Sequence, residues 1–554
     1  MTISDRIRAA PIRSALLIAA LLSIPCLWTP FLMDDLMHQQ KLDAWVGSVQ
    51  GMPGYSEAFG LPELYVFFGG DVEAQTRAIE QGAVPWWVLP ELRISFLRPL
   101  SSLSLVVDRL IWGHWPGGYQ VQNTLWWMLL ITVYGMCWRR WLNPVILALA
   151  LVGLAVDDSF FVASHWTANR NATVSLALGG LGLISHLRWR EEGWRPGAVL
   201  APVGLALGLA GGETALGYFG FVLAYELFGA RTRRLVALVP AVLVGLGWLV
   251  VYSALDKGAY GSGIYVDPSR EPLTYLSLLP GRMVLTLGSF FGSIPADVHV
   301  ILPGHHPWLY GMAALVVAVA GWVLTRAWPE LDEDTRHGLR WLLPGALLAT
   351  LPPLATFPMD RLMLLPALGL WPALAVVIRH VWVRFGERQW WPGVLGPLLI
   401  LRHFAMTPLM FVFGGVFFTQ LGAVFEDQLE GMEQLPAEPS AAIIVHTSDF
   451  MVGVYLPMAA QAGGGSVRRW ATWSLARSDH LLSRPDPRSL VLRTQDGVML
   501  DSLFGRIFRG KEHELAMGEQ VVLEGYTANV VETEDGALKA VRFEFEVPVT
   551  EAPF

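Results

Sequence analysis

Apolar runs of spanning length, separated by short basic clusters, set the pattern of this chain. Residues 14–32 carry no charge, which is long enough to cross a hydrocarbon core of about 30 Å. Comparable runs follow at 119–138, 143–157, 172–187, 197–212, 214–229, 235–253, 308–325, 341–357 and 362–379. A last apolar region, 391–423, is interrupted by Arg402 and His403 and fits either one crossing or two. The run 283–303 is broken by Ser289, Pro295 and Asp297 and reads as interfacial or re-entrant. The pattern changes near residue 426. Beyond it, 489–493 and 541–547 alternate with period two, 441–446 reads as a buried strand and 451–461 as a helix.

These patterns predict an all-α polytopic membrane bundle of about 11 transmembrane helices with a small C-terminal α+β domain. The expected boundary separates 1–425, with a first outer loop at 34–100, from 426–554. Orientation follows the basic residues. Arg6, Arg8 and Arg13 precede the first run with only Asp5 against them, which keeps the N-terminus cytoplasmic. The clusters Arg139–Arg140, 188–195, 231–234, 326–340 and 379–388 then fall on the same side. The loops at 34–100, 158–171, 211–213, 254–307 and 357–361 face the opposite one.

Composition agrees with the pattern. Of 554 residues 53% are hydrophobic and 16% charged, with 24 Trp, too apolar for a soluble domain of this size. The net charge of −8, with no long Lys/Arg block, argues against a nucleic-acid partner. Cys26 and Cys137 both lie in apolar runs, without disulfide or metal-ligand spacing. The segment 28–31 offers no small-residue cleavage site, so the first run is expected to stay as an anchor. No repeat of 20 to 50 residues is present.

Candidate chemistry collects on the outer side. Asp34 and Asp35 emerge where the first run ends, followed by His38. Arg98, Asp157, Asp158, His165, Arg170, Glu213, Asp267, His305, His306, Asp360 and Arg361 lie in the same set of loops. Ionisable groups at membrane depth are costly and point to function. A carboxylate with guanidinium groups nearby suits deprotonation of an acceptor hydroxyl as an anionic phosphate leaves. Asp108 and Arg109 read as a solvated face, and His305 with His306 as a loop pair rather than a metal site. Trp86 and Trp87 suit the lipid interface.

One block adds a resemblance. Leu97-Arg98-Pro99-Leu100, Asp108, Trp112-Gly113, Gly118-Tyr119 and Asn123 stand in an order that resembles the polytopic C-type (GT-C) glycosyltransferases, nearest the membrane O-mannosyltransferase branch. Asp34-Asp35 resembles that family's acidic motif in the first outer loop. His165 to Arg170 resembles a Trp-x-x-x-Arg element, Glu213 stands where the family has Lys-Glu, and Asp360-Arg361 through Pro366 and Gly369 resembles a Glu-Arg motif.

The resemblance covers about residues 14–380. It implies an inverting glycosyltransferase that moves a sugar from a polyprenyl-phosphate donor to an acceptor hydroxyl on a protein or glycan. The expected place is the extracytoplasmic face of a membrane such as the bacterial inner membrane. Asp34 or Asp35 would be the base. Arg98, Arg170 and Arg361 would hold the donor phosphate, and His38, His165, Glu213 and Asp360 would line the site. A divalent metal is permitted and not required. Gln120 replaces the family's His, Gly212 replaces the Lys before Glu213, and residues 426–554 stand in place of its tetratricopeptide repeats. The alternatives from other classes are a polytopic transporter or flippase, in which the same charges bind solute, and a non-catalytic membrane assembly protein.

Overall fold

The computed structural model describes residues 10–47, 55–302, 306–385, 390–433, 441–462 and 469–552. Its internal contacts divide the chain into two units. Met1–Pro30, Leu97–Asp256 and Pro272–Thr419 form the first, and Phe31–Phe96, Lys257–Glu271 and Gln420–Phe554 form the second.

The first unit is helical. Among the described residues five helical stretches are long and apolar enough to cross a membrane: Pro11–Trp28, Leu235–Ala254, Pro307–Glu330, Ala367–Arg384 and Trp391–Met432. A sixth arises if Pro144–Val156 and Asp158–His165, bent by 50°, count as one span. The chain is an integral membrane protein by these helices, with fewer stretches of full spanning quality than the periodicity predicts.

The reasons are local. Gly197–Gly211 has only 15 residues, about 22 Å at the α-helical rise. The 23-residue helices Pro116–Trp138 and Arg170–Glu192 are long enough, but they carry polar residues such as Gln120, Asn123, Arg170, Asn171, Arg188 and Arg190. The region 391–423 forms part of one continuous helical stretch. At its polar interruption a π-helical turn covers Leu401–Met406, Arg402 Nη1 pairs with Asp158 Oδ1 at 3.2 Å and His403 is buried. The charge is answered inside the protein, so the helix does not break. The run 283–303 belongs partly to the longer helix Pro272–Phe291, which ends before Gly292 at φ +114°.

Glycines let two helices touch backbone to backbone. A Cβ on Gly204 would sit 2.6 Å from Gly182 Cα, and one on Gly208 would sit 2.8 Å from Gly179 Cα. Such spacing of small residues is what brings membrane helices close without a hydrophobic driving force. Gly204→Ile is expected to force Arg170–Glu192 and Gly197–Gly211 apart and to lower stability by about 3 kcal/mol or more, measured as the unfolding midpoint in detergent. An unchanged midpoint refutes the crossing. Around it, Trp127, Trp138, Trp341 and Trp371 are fully buried, and Trp138 Nε1 donates to Leu368 O at 2.7 Å.

The second unit is built from distant parts of the sequence. Val66–Gly69, Arg93–Ser95 and Gly258–Tyr260 form an antiparallel sheet, with Arg93–Ser95 in the middle. The C-terminal region supplies a five-stranded antiparallel sheet in the order Gln520–Leu523, Tyr526–Glu534, Ala537–Phe545, Ser489–Thr494, His480–Asp486. It also contains a parallel pair, Ala441–Ile444 with Arg469–Thr472. Val541, Phe543 and Phe545 are buried at alternate positions, as period two requires, after Leu538 and Ala540 and a shift of the alternation between 540 and 541.

Trp86 and Trp87, expected at the lipid interface, are instead buried in this unit at 2% and 1% exposure. Trp86 Nε1 donates to Trp473 O at 3.0 Å, and Trp473 stacks on Phe543 with centroids 3.8 Å apart. Buried Arg509 donates from Nε to Trp87 O at 2.7 Å, from Nη2 to Val88 O at 3.3 Å and from Nη1 to His513 O at 2.9 Å. The first outer loop and the C-terminal region therefore share one core. Two tryptophans in a polar loop fit that role because each buries a large apolar area, and the N–H of Trp86 needs only the one acceptor it has.

Candidate functional site

In the second unit the helix Asp34–Val46 begins directly after Met33, whose backbone lies at φ 54°, ψ −124°. A non-glycine residue there costs about 1–3 kcal/mol and persists only where its surroundings over-determine it. Those surroundings are named: Met33 and Leu36 pack in a cluster with Phe425, Phe450, Tyr455 and Leu456.

The two acidic residues are used differently. Asp35 is 2% exposed, and its Oδ2 accepts the Leu32 N–H at 3.1 Å, satisfying a backbone donor at the helix start. Asp34 is partly exposed, and its Oδ1 accepts the hydroxyl of Tyr455. Both carboxylates gain from the positive end of the helix dipole. His38, one turn along from Asp34, is buried with its ring edge-on to Tyr65 at 4.8 Å. Lys41 is buried too, donating to Glu63 O at 3.2 Å and to Val66 O. Burial pulls its amine down to about 8, with Glu63 pulling the other way.

In the first unit the other expected site residues form three groups. Arg98 Nε pairs with Glu213 Oε2 at 2.8 Å, with side chains 17% and 20% exposed. Glu213 Oε1 is buried and has no hydrogen-bond partner among the described residues. The Gly-Gly before it is a matter of space, since a Cβ on Gly211 would lie 2.9 Å from Ser175 Cα. Ser101 Oγ donates to Gly211 O at 2.6 Å and fixes the turn against the helix Pro99–Trp112.

The second group centres on Arg170, which is buried. Its Nη1 pairs with Asp108 Oδ2 at 2.5 Å and donates to Ser104 Oγ at 3.1 Å and to Gln122 Oε1. Nε donates to Asn123 Oδ1 at 2.6 Å and Nη2 to Tyr119 O at 2.8 Å. The solvated face expected at Asp108 is thereby corrected: the residue is 1% exposed, turned inward by its pairing with Arg170. His165 is also a core residue, its two ring nitrogens held by Ser164 Oγ at 2.7 Å and Ser23 Oγ at 2.8 Å.

The third group is Asp360 and Arg361. Asp360 and Asp297 hold each other reciprocally. Ala296 N–H donates to Asp360 Oδ1 at 2.9 Å, and Asp360 N–H donates to Asp297 Oδ2 at 3.0 Å. Arg361 lies over Trp166, with Cζ 5.5 Å from the ring centroid. Burial first, and the neighbouring carboxylate of Asp297 second, push Asp360 up to about 7 from 3.8. A carboxyl raised in the folded state adds stability in its protonated form, and that contribution is lost as pH rises through about 7. The unfolding midpoint is expected to fall as pH rises from about 4 to about 7, and Asp360→Asn to flatten that slope; a slope unchanged by the substitution refutes the assignment.

The structure thus places Asp34, Asp35 and His38 on one helix of the second unit, and Arg98 with Glu213, Asp360 beside Arg361, Arg170 and His165 in the first. Asp297 broke an apolar run and could have been singled out on that ground. Tyr455 and Lys41 carried no local signal. His305 lies outside the described residues. Among the described residues no group of three or more His, Cys, Asp or Glu side chains is arranged to hold a metal ion.

No family model and no curated protein matches the chain. Among solved structures it is similar to ArnT from Cupriavidus metallidurans bound to undecaprenyl phosphate, at 12% identity and a TM-score of 0.44, over 86% of this chain and 93% of that one. It is also similar to the archaeal oligosaccharyltransferase AglB from Archaeoglobus fulgidus in complex with an inhibitory peptide and a dolichol-phosphate. There the identity is 11% and the TM-score 0.43, over 78% of this chain and 58% of that one.

Proposed function

We propose that this chain is an inverting GT-C-type glycosyltransferase that moves a sugar from a polyprenyl-phosphate donor to an acceptor hydroxyl at the extracytoplasmic face of the membrane. The observation that carries the proposal is the setting of Asp34. A partly exposed carboxylate opens a helix on strained backbone close after the first apolar helix, while its neighbour Asp35 is spent on the Leu32 N–H. Strain of this kind collects at reactive positions, and a carboxylate oriented by a hydroxyl donor is a competent base.

In the proposed reaction the acceptor oxygen attacks the anomeric carbon as Asp34 takes its proton. The bond from that carbon to the phosphate oxygen breaks with its electron pair, and the sugar inverts. Arg98 and Arg361 hold the departing lipid phosphate, since guanidinium keeps its charge and offers paired donors. Glu213 orients Arg98. Arg170, committed to internal acceptors, orders the Asp108 helix that follows Arg98. Residues 1–425 carry the transferase chemistry and 426–554 the C-terminal domain, outside with the acceptor. The single helical stretch through Arg402 supports that placement, because one crossing rather than two separates the last cytoplasmic cluster from the tail.

The test is transfer in proteoliposomes from a labelled polyprenyl-phosphate sugar, read as release of lipid phosphate and as label on a hydroxyl acceptor with inverted anomeric configuration. Solute uptake without any lipid-linked sugar, in the absence of transfer, establishes the transporter reading instead.

A further inference from the structure

We infer that Tyr455 is the positioning residue for Asp34: a phenol from the C-terminal region that fixes the orientation of the carboxylate and favours its ionised form. The inference rests on the transferase reading for its catalytic meaning, and on geometry for the contact itself. Tyr455 is 6% exposed and donates to Asp34 Oδ1. It ends a π-helical turn, Met451–Tyr455, and such turns often mark functional positions because they shift the side chains that follow out of helical register.

The turn is tied down on several sides. Asp449 Oδ1 accepts the Met451 N–H at 2.8 Å, and Thr472 Oγ1 donates to Gly453 O at 2.7 Å. Phe450 meets the Tyr455 ring edge-on, with centroids 5.1 Å apart and planes at 87°. The same cluster contains Met33, the strained residue immediately before Asp34. One packed segment therefore holds the backbone that presents the carboxylate and also supplies a donor to it.

A hydrogen bond to the charged form of an acid favours that form. Burial, with Asp34 contributing less, holds the Tyr455 phenol well above its ordinary range, so it stays a donor wherever the enzyme works. The carboxylate keeps its place before the acceptor hydroxyl arrives. Pre-set orientation of this kind contributes to the rate of the chemical step rather than to donor binding.

The experiment uses the full chain in proteoliposomes and Tyr455→Phe, which removes one oxygen and keeps the ring. The expected result is a kcat about tenfold lower, a KM for the lipid-linked sugar unchanged within about twofold, and an acid limb of the pH–rate profile moved up by about one unit. A role confined to packing would leave that limb in place. Titration of Asp34 by infrared difference spectroscopy, against Asp34→Asn, gives a readout independent of activity, and its midpoint is expected to rise in Tyr455→Phe. Wild-type transfer with an unmoved limb and an unmoved midpoint in the variant overturns the inference. If the wild type transfers no sugar but the Asp34 midpoint still rises, the positioning contact stands and the transferase reading falls. If the midpoint does not rise, the contact falls whatever the wild type does.

Discussion

Asp34→Asn is expected to lower sugar transfer by about a hundred- to ten-thousandfold, the usual contribution of a positioned base. Asn keeps an oxygen that can accept the Tyr455 hydroxyl, so the helix start survives while the proton acceptor is lost. Protein level and unfolding midpoint should therefore stay close to wild type. Asp35→Asn keeps an acceptor for the Leu32 N–H and should cost far less activity. Asp35→Leu removes that acceptor and buries no carboxylate at the helix start, and should cost about 1–3 kcal/mol of stability instead. Kinetics of the three variants at one pH, beside their melting curves, separate these outcomes. Full activity in Asp34→Asn with none in Asp35→Asn moves the base by one residue, and full activity in both removes it.

The largest loss of stability is expected from Arg170→Met. The substitution strands a carboxylate that is 1% exposed and removes donors from Ser104, Gln122, Asn123 and Tyr119, so the loss should be about 3–5 kcal/mol. Burial already pushes Asp108 up to about 6 against the opposing pull of Arg170. Without the guanidinium that carboxyl takes up a proton more readily, so the defect should be smaller near pH 5 than near pH 8. Replacing both partners, Arg170→Met with Asp108→Leu, should recover part of the loss, since two apolar side chains leave no buried charge. Tryptophan fluorescence during thermal unfolding in detergent measures all three proteins. A double variant no more stable than Arg170→Met means that Asp108 is not what the arginine serves.

The helices and the C-terminal strands were legible because their signals are local. Charge-free runs mark Pro11–Trp28 and Leu235–Ala254, and period two marks Ser489–Thr494 and Ala537–Phe545. Where a residue's fate depends on a partner far along the chain, patterning gave no purchase. Asp108 looked like an interfacial charge because Arg170, its counter-ion, is on another helix. Trp86 and Trp87 looked interfacial because the groups that enclose them, Phe543 and Trp473 at Trp86 and Phe508 and Arg509 at Trp87, lie far along the chain. The Arg98–Glu213 pair shows the same limit: both residues were selected separately, and nothing local stated that they meet. Tyr455 is the extreme case, since a tyrosine in an apolar stretch carries no mark until the carboxylate it serves is placed beside it.

The second unit takes its first strands from residues 57–95 and its last from 537–545. A ribosome adding about 5–20 residues per second needs some tens of seconds to travel from one to the other. Throughout that interval Trp86 and Trp87 lack Trp473, Phe543 and Arg509, the groups that enclose them. The nascent loop is thus a client for whatever holds apolar segments during synthesis, and the Asp34 helix gains its tyrosine only after the chain is nearly finished. Ribosomes stalled before residue 441 should leave both tryptophans open to quenching, whereas release of the complete polypeptide should shield them.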